Sequence, residues 1–185
     1  SADEVIIKIA AATNVVNYKQ IDANPSELCK SVLDKMSNRS YEELAEENGI
    51  DHAKLFNRVN INLEKDCSDI PTDERITNYN PKEDFGLNTL LYQYGRYLLI
   101  TSSREFNKLP ANLQGIWNPF RNPSWGSKFT SNINLPMNYW PAEVGDLEEC
   151  LEPLVLMAEA LSETGADVAK DHYDCNGWVF HQNTD

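Results

Sequence analysis

The run Asn132-Ile133-Asn134-Leu135-Pro136-Met137-Asn138-Tyr139-Trp140-Pro141-Ala142-Glu143 places three amides, two large aromatic rings and a carboxylate within twelve residues. In an extended backbone the two-residue period sets Asn132 and Asn134 on one face, where two carboxamides can hold one small polar molecule. The chemistry that suits them is the orientation of a nucleophilic water. A neutral amide both accepts and donates hydrogen bonds without charge of its own, leaving the proton to a carboxylate elsewhere. The competing reading is that these asparagines are turn and cap residues whose amides only close loop backbone. Glu143 is a candidate catalytic carboxylate by position, yet the chain holds 29 acidic residues and a surface would solvate most of them.

The neighbouring residues suit a neutral polar ligand. Residues 107–138 contain four prolines, two glycines and a series of asparagines, and a segment of that length and composition in a compact domain usually carries function. Three of the four tryptophans, Trp117, Trp125 and Trp140, lie in or beside it. The apolar face of a pyranose packs on an aromatic plane while its hydroxyls bond to amides, so Trp117 and Trp125 are candidate substrate contacts. Trp140 reads instead as an anchor of irregular backbone to the core.

These residues need a frame. Val5-Ile6-Ile7-Lys8-Ile9-Ala10 reads as a strand with a covered face. Asn24-Pro25-Ser26-Glu27 reads as the start of a helix bearing Leu28, Val32, Leu33 and Met36. Ser40 with Glu43 forms a second capping box, Gly49 is expected to stop that helix, and a third short helix from Asp51 carries Leu55 and Phe56. Val59, Ile61 and Leu63 alternate with Asn60, Asn62 and Glu64, the period of a half-buried strand. Asn80-Pro81-Lys82-Glu83 predicts a helix from Pro81 to about Ser102, with a core stripe of Leu87, Leu90, Leu91, Tyr94 and Leu98. Pro153 opens a helix bearing Leu154, Ala158 and Leu161, which Gly165 is expected to end.

Composition bounds what this frame can do. The 185 residues, 41% hydrophobic and 24% charged, suffice for one domain or pieces of two. A net charge of −13 would repel nucleic acid and anionic membranes, and no apolar run approaches a membrane span. The opening Ser1-Ala2-Asp3-Glu4 lacks a signal-peptide pattern, so no address is expected in these residues. Cys29, Cys67, Cys150 and Cys175 have no metal or redox spacing and are expected as buried thiols, with room for a bridge in an oxidising compartment. With only His52, His172 and His181, no metal site and no cofactor are expected. His181 and Asp185 suggest a dyad, but a hydrogen-bonding role in an Asn183-Thr184-Asp185 turn is the simpler reading.

Four blocks together resemble a known family: Gly95 to Ser103, Leu109 to Asn118, Asn132 to Glu143, and Gly177-Trp178-Val179-Phe180-His181-Gln182-Asn183-Thr184-Asp185. In this order and composition they resemble glycoside hydrolase family 95, inverting α-L-fucosidases with some α-L-galactosidases. The resemblance is strong over residues 75–185 and weaker before. It implies a mainly α fold: a partial (α/α)6 toroid preceded by a helical linker, with a few short β-strands. Residues 1–21 would then end an N-terminal β-sandwich, 22–72 form the linker with a strand returning towards the sandwich, and 73–185 begin the catalytic domain.

In that family the two asparagines matching Asn132 and Asn134 hold the attacking water, an aspartate takes its proton and a glutamate protonates the leaving oxygen. The matching acids would lie beyond residue 185, which implies a fragment, inactive alone, of an enzyme that removes terminal α-L-fucose or α-L-galactose from glycans. The alternative is a stand-alone carbohydrate-binding or interaction domain without chemistry. Many members carry His where this chain has Thr130, near the sugar C5 substituent, and the smaller side chain would leave space for the extra hydroxyl of L-galactose. Gln182 likewise replaces a usual His. The resemblance suggests an extracytoplasmic location, and a partial toroid would leave helix faces open to dimerisation.

Overall fold

The computed structural model describes residues 3–63 and 67–184, which divide into two compact units, residues 1–53 and 54–185. Ser1, Ala2, Glu64 and Asp185, named above, lie outside the described residues. The fold is mainly α, with seven helices and one two-stranded sheet among the described residues.

In the first unit, α1 (Pro25–Met36) starts where its cap chemistry places it. Asn24 accepts hydrogen bonds from the backbone N–H groups of Ser26 and Glu27, and Pro25 occupies the first turn. The C-terminal end is satisfied by Lys8, whose ammonium donates to Met36 O and, at 2.7 Å, to Arg39 O. Helix α2 (Tyr41–Phe56) begins with the expected reciprocal box: Glu43 N–H donates to Ser40 Oγ at 3.2 Å, and Ser40 N–H donates to a Glu43 carboxylate oxygen at 2.9 Å.

Three expectations fail here. Gly49 does not stop α2, and the anticipated third helix is its continuation. A helical glycine costs only about 1 kcal/mol relative to alanine, and Gly49 stays out of the left-handed conformation that ends helices. Val5 to Ala10 forms no strand, since these residues pair with no described segment, and Val5, Ile7 and Ile9 are exposed. In α1 no residue is buried, so the stripe of Leu28, Val32 and Leu33 is also exposed.

The second unit holds the core, built from Leu55, Leu99, Ile100, Ala111, Phe129, Leu135, Tyr139, Ala142, Leu147, Cys150 and Met157. Residues 59–63 carry the predicted alternation only as extended chain, with Val59 and Ile61 half-buried and no ladder. After the short α3 (Thr72–Thr77), α4 (Phe85–Ser102) starts four residues later than Pro81. Its cap is Asp84, which accepts from Leu87 N–H at 3.1 Å, while Asn80 closes the preceding turn onto Lys82 N–H. The same Asp84 carboxylate receives a two-pronged bond from Arg75 at 2.8 and 2.6 Å, both residues being buried.

The buried face of α4 is not the predicted one. Arg96, Leu99, Ile100 and Ser102 point inward, while Leu91 is 70% exposed and Leu90 and Tyr94 are also exposed. Arg96 explains the difference, because its guanidinium donates to Leu55 O, Phe56 O, Val59 O and Gly145 O. Two of those carbonyls lie at the C-terminus of α2, whose dipole favours a cation. Such a buried cation rotates its own side of the helix into the unit, and apolar periodicity cannot signal that.

Beyond α4 the chain passes a turn at Ser124–Ser127, strand β1 (Phe129–Thr130), α5 (Asn134–Tyr139), α6 (Pro141–Val144) and a 3-10 turn at Glu148–Leu151. It then enters α7 (Glu152–Tyr173) and ends at β2 (Asn183–Thr184), antiparallel to β1. Gly165 does not end α7; the helix continues to a left-handed Asp174. Gly165 instead lets the returning chain approach, and Val179 N–H donates to Gly165 O at 3.1 Å.

Candidate functional site

Asn132 and Asn134 do not lie on a strand. Asn132 sits in the turn after β1, and Asn134 is the first residue of α5. The turn forms because Ile133 (φ −154, ψ −44) breaks the extended run, and the burial of Leu135 with Tyr139, four residues apart, then orients one face of the helix inward. Asn134 and Asn138 share a second face by the same spacing, and both are half-buried, whereas Asn132 is exposed. Neither Asn132 nor Asn134 hydrogen-bonds to another described residue through its carboxamide. Among the loop's other asparagines Asn122 is likewise unengaged, whereas Asn107, Asn112, Asn118 and Asn138 are bonded. Asn112 Oδ1 accepts from Gln114 N–H and Ser127 Oγ, Asn118 closes a turn onto Phe120, and Asn138 Nδ2 donates to Asn112 O at 3.0 Å.

The segment is held by a buried network that sequence reading did not find. Ser103 Oγ donates to Cys150 O at 2.8 Å, so its only proton is used, and the 2.8 Å contact with Tyr139 requires the phenol to donate. Tyr139 in turn accepts from Ala111 N–H at 2.7 Å. Burial pushes the Tyr139 hydroxyl above its ordinary value against these two bonds, and drives the Cys150 thiol up to about 11. Both groups are therefore neutral at physiological pH. The signal available in sequence was slight: a tyrosine ending an asparagine-rich run.

Thr130 lies in β1 opposite Asn183, and Phe129 opposite Thr184. Ser131 extends the junction, its N–H donating to Gln182 O at 2.7 Å and its hydroxyl to His181 O at 2.5 Å. Asn183 and Thr184 thus form a strand rather than the expected turn. His181 Nε2 lies 3.0 Å from the Tyr173 hydroxyl, while Asp185, the other half of the suggested dyad, lies outside the described residues. All four sequence blocks meet here: the end of α4 through Ser103, the loop through Ala111 and Asn112, the asparagine segment, and residues 177–184.

The aromatic residues divide. Trp117 stacks on Tyr97 of α4 at 6.0 Å between ring centroids, and Tyr97 stacks on Tyr94 at 5.9 Å, so the indole plane is fixed and half-exposed. Trp125 is 81% exposed on a left-handed turn, with positive φ at Trp125, Gly126 and Ser127. Trp140 is 62% exposed, which corrects its reading as a core anchor. Glu143 is exposed on α6. Only Cys150 of the four cysteines is buried, and all four are free thiols rather than bridged. Among the described residues no group of His, Cys, Asp and Glu could hold a metal ion, and no helix is long and apolar enough to cross a membrane.

Residues 130–134 thus carry two unengaged carboxamides and a hydroxyl, all neutral, and no described contact joins them to Trp117 or Trp125. Residues 40–185 match the family model described as the glycosyl hydrolase family 95 catalytic domain. Over its whole length the chain is 37% identical to alpha-L-fucosidase 2 of Arabidopsis thaliana, of which it covers 23%. It is 34% identical, over 96% of its length, to a probable alpha-fucosidase A of Aspergillus niger, and 34% identical, over 91%, to a probable alpha-fucosidase A of Aspergillus oryzae, covering 24% of each. The chain thus spans about a quarter of the length of the curated relatives it matches.

Proposed function

Because the chain belongs to glycoside hydrolase family 95, we propose that it is one segment of an inverting glycosidase that removes terminal α-L-fucose from glycans. In this reading Asn132 and Asn134 hold the attacking water, and the general acid and general base come from outside these residues. The observation that carries it is the pair of carboxamides left without a described partner, two residues apart at the turn that opens α5, a helix anchored by Asn138 and Tyr139. Each amide has an oxygen to receive a water proton's hydrogen bond and an N–H to direct a lone pair. Being neutral, the pair leaves the base to take the proton without raising its pKa as a neighbouring carboxylate would. An inverting enzyme needs its two carboxyl groups about 6.5–9.5 Å apart, with that water between the base and the sugar.

Trp117 and Trp125 supply apolar planes for the sugar or for the residue it is attached to, and Thr130 lies at the start of the turn that bears Asn132. A threonine there leaves room for a C5 hydroxymethyl group, so L-galactosides are the second substrate. Within the longer protein, residues 73–185 begin the helical catalytic domain, 22–72 are the linker and 1–21 end the preceding β-sandwich.

The test is a graft. Residues 40–185 replace the matching segment of the Arabidopsis thaliana relative, and hydrolysis of an aryl α-L-fucoside is followed. Turnover giving β-L-fucose as first product, seen by proton NMR, is the expected result. A folded graft without turnover, or one giving the α-anomer first, contradicts the reading.

A further inference from the structure

Helix α5 has six residues, and its N-cap residue Ile133 makes no side-chain hydrogen bond to the helix. A helix that short does not hold itself in water, since nucleation costs more than one turn returns. Asn134, on its first turn, is therefore only as well placed as the tertiary contacts that fix α5. Two adjacent side chains at the other end make the polar ones. Asn138, one turn below Asn134 on the same face, donates to Asn112 O at 3.0 Å. Tyr139, buried with Ser103 and Ala111, accepts from Ala111 N–H and donates to Ser103 Oγ, which is itself committed to Cys150 O.

We propose that Tyr139, assisted by Asn138, is the positioning residue of this site: its hydroxyl locks α5 to the end of α4 and to the loop at Ala111, and so sets where Asn134 aims. This rests on the reading that Asn134 directs the water. The hydroxyl bonds at once to α4's C-cap, to the loop at Ala111 and, through Ser103, to the turn before α7. Leu135 and the Tyr139 ring bury apolar surface, but apolar burial is non-directional and leaves a short helix free to rotate. Two directional hydrogen bonds at the phenol hydroxyl, one donated and one accepted, remove that freedom. Tyr139 is buried with its hydroxyl committed to Ser103 and Ala111, so its effect runs through Asn134.

Two measurements test it. In the 185-residue chain, Tyr139→Phe should leave far-ultraviolet circular dichroism unchanged and speed hydrogen exchange of the Ala111 amide; unchanged exchange overturns the lock. In the grafted enzyme, Tyr139→Phe should lower kcat by about 10²-fold with KM unchanged, as expected for slight misplacement of a reacting group. Met157→Ala, a core truncation in α7, should lower the melting temperature and leave kcat alone. Wild-type kcat in Tyr139→Phe, alongside an inactive Asn134→Ala, overturns the positioning role by itself. Wild-type kcat in Asn134→Ala overturns the underlying reading and the proposal with it. Should Tyr139→Phe fail to fold, Asn138→Asp, which cannot donate to Asn112 O, carries the test: kcat must fall, and an unchanged value overturns the proposal.

Discussion

Gly165 and Val179 touch backbone to backbone: a methyl group on Gly165 would stand 2.6 Å from Val179 O and 3.2 Å from Val179 N. The contact lays residues 177–182 along α7 and delivers Gln182 to Ser131, one residue from Asn132. A helix glycine expected to be a stop is thus the point at which the last segment reaches the site.

Gly165→Ala separates two effects of opposite sign. Helix propensity alone would stabilise α7 by about 1 kcal/mol, whereas the clash should destabilise the chain by about 1–3 kcal/mol. Urea melts decide between them, and a higher midpoint in the variant would contradict the contact.

The Arg75 and Asp84 pair predicts an acid-sensitive term. The bond from Arg75 holds the Asp84 carboxyl below its ordinary value, so ionised Asp84 favours the folded state. That contribution is present above the ordinary aspartate pKa of about 3.9 and is lost as pH falls through the lower folded value. Asp84→Asn should therefore be less stable than the parent at neutral pH and lose less stability on acidification. Parallel stability curves down to about pH 2 would contradict the assignment.

Along α4, Leu99 is 4% exposed and Leu91 is 70% exposed. In the 185-residue chain Leu99→Ala should cost about 2–5 kcal/mol, and Leu91→Ala about 0.5 kcal/mol or less. Denaturant midpoints for the two variants check the order, and equal losses would restore the periodic stripe as the buried face.

What the sequence made legible was local. The caps at Asn24 and at Ser40 with Glu43 bond within three residues, so the short-range pattern contains the whole interaction. The four blocks stood out through the family resemblance, and they do converge. The face of α4, the turn around Asn132 and the anchor at Tyr139 were not legible, because distant partners decide them. Arg96 reaches carbonyls 37 to 49 residues away, and Tyr139 bonds to residues 28 and 36 positions earlier. Alternating asparagines suggested a strand, but Leu135 and Tyr139 bury on a helical period and impose α5 instead.

If, as proposed, these residues supply the water-holding amides and the acid and base come from elsewhere, the isolated chain should not release nitrophenol from an aryl α-L-fucoside above the uncatalysed rate. Turnover by purified chain that disappears in Asn134→Ala would overturn that division of labour.

The central claim is that Asn132 and Asn134 orient the attacking water, and kcat of the two alanine variants in the grafted enzyme tests it most directly. If each amide supports the water chiefly in the transition state, Asn132→Ala and Asn134→Ala should each lower kcat by about 10²–10³, with a modest change in KM. Circular dichroism should be unchanged. Near-normal kcat in both variants, with the fold intact, would contradict the account and return the two asparagines to the turn that contains them.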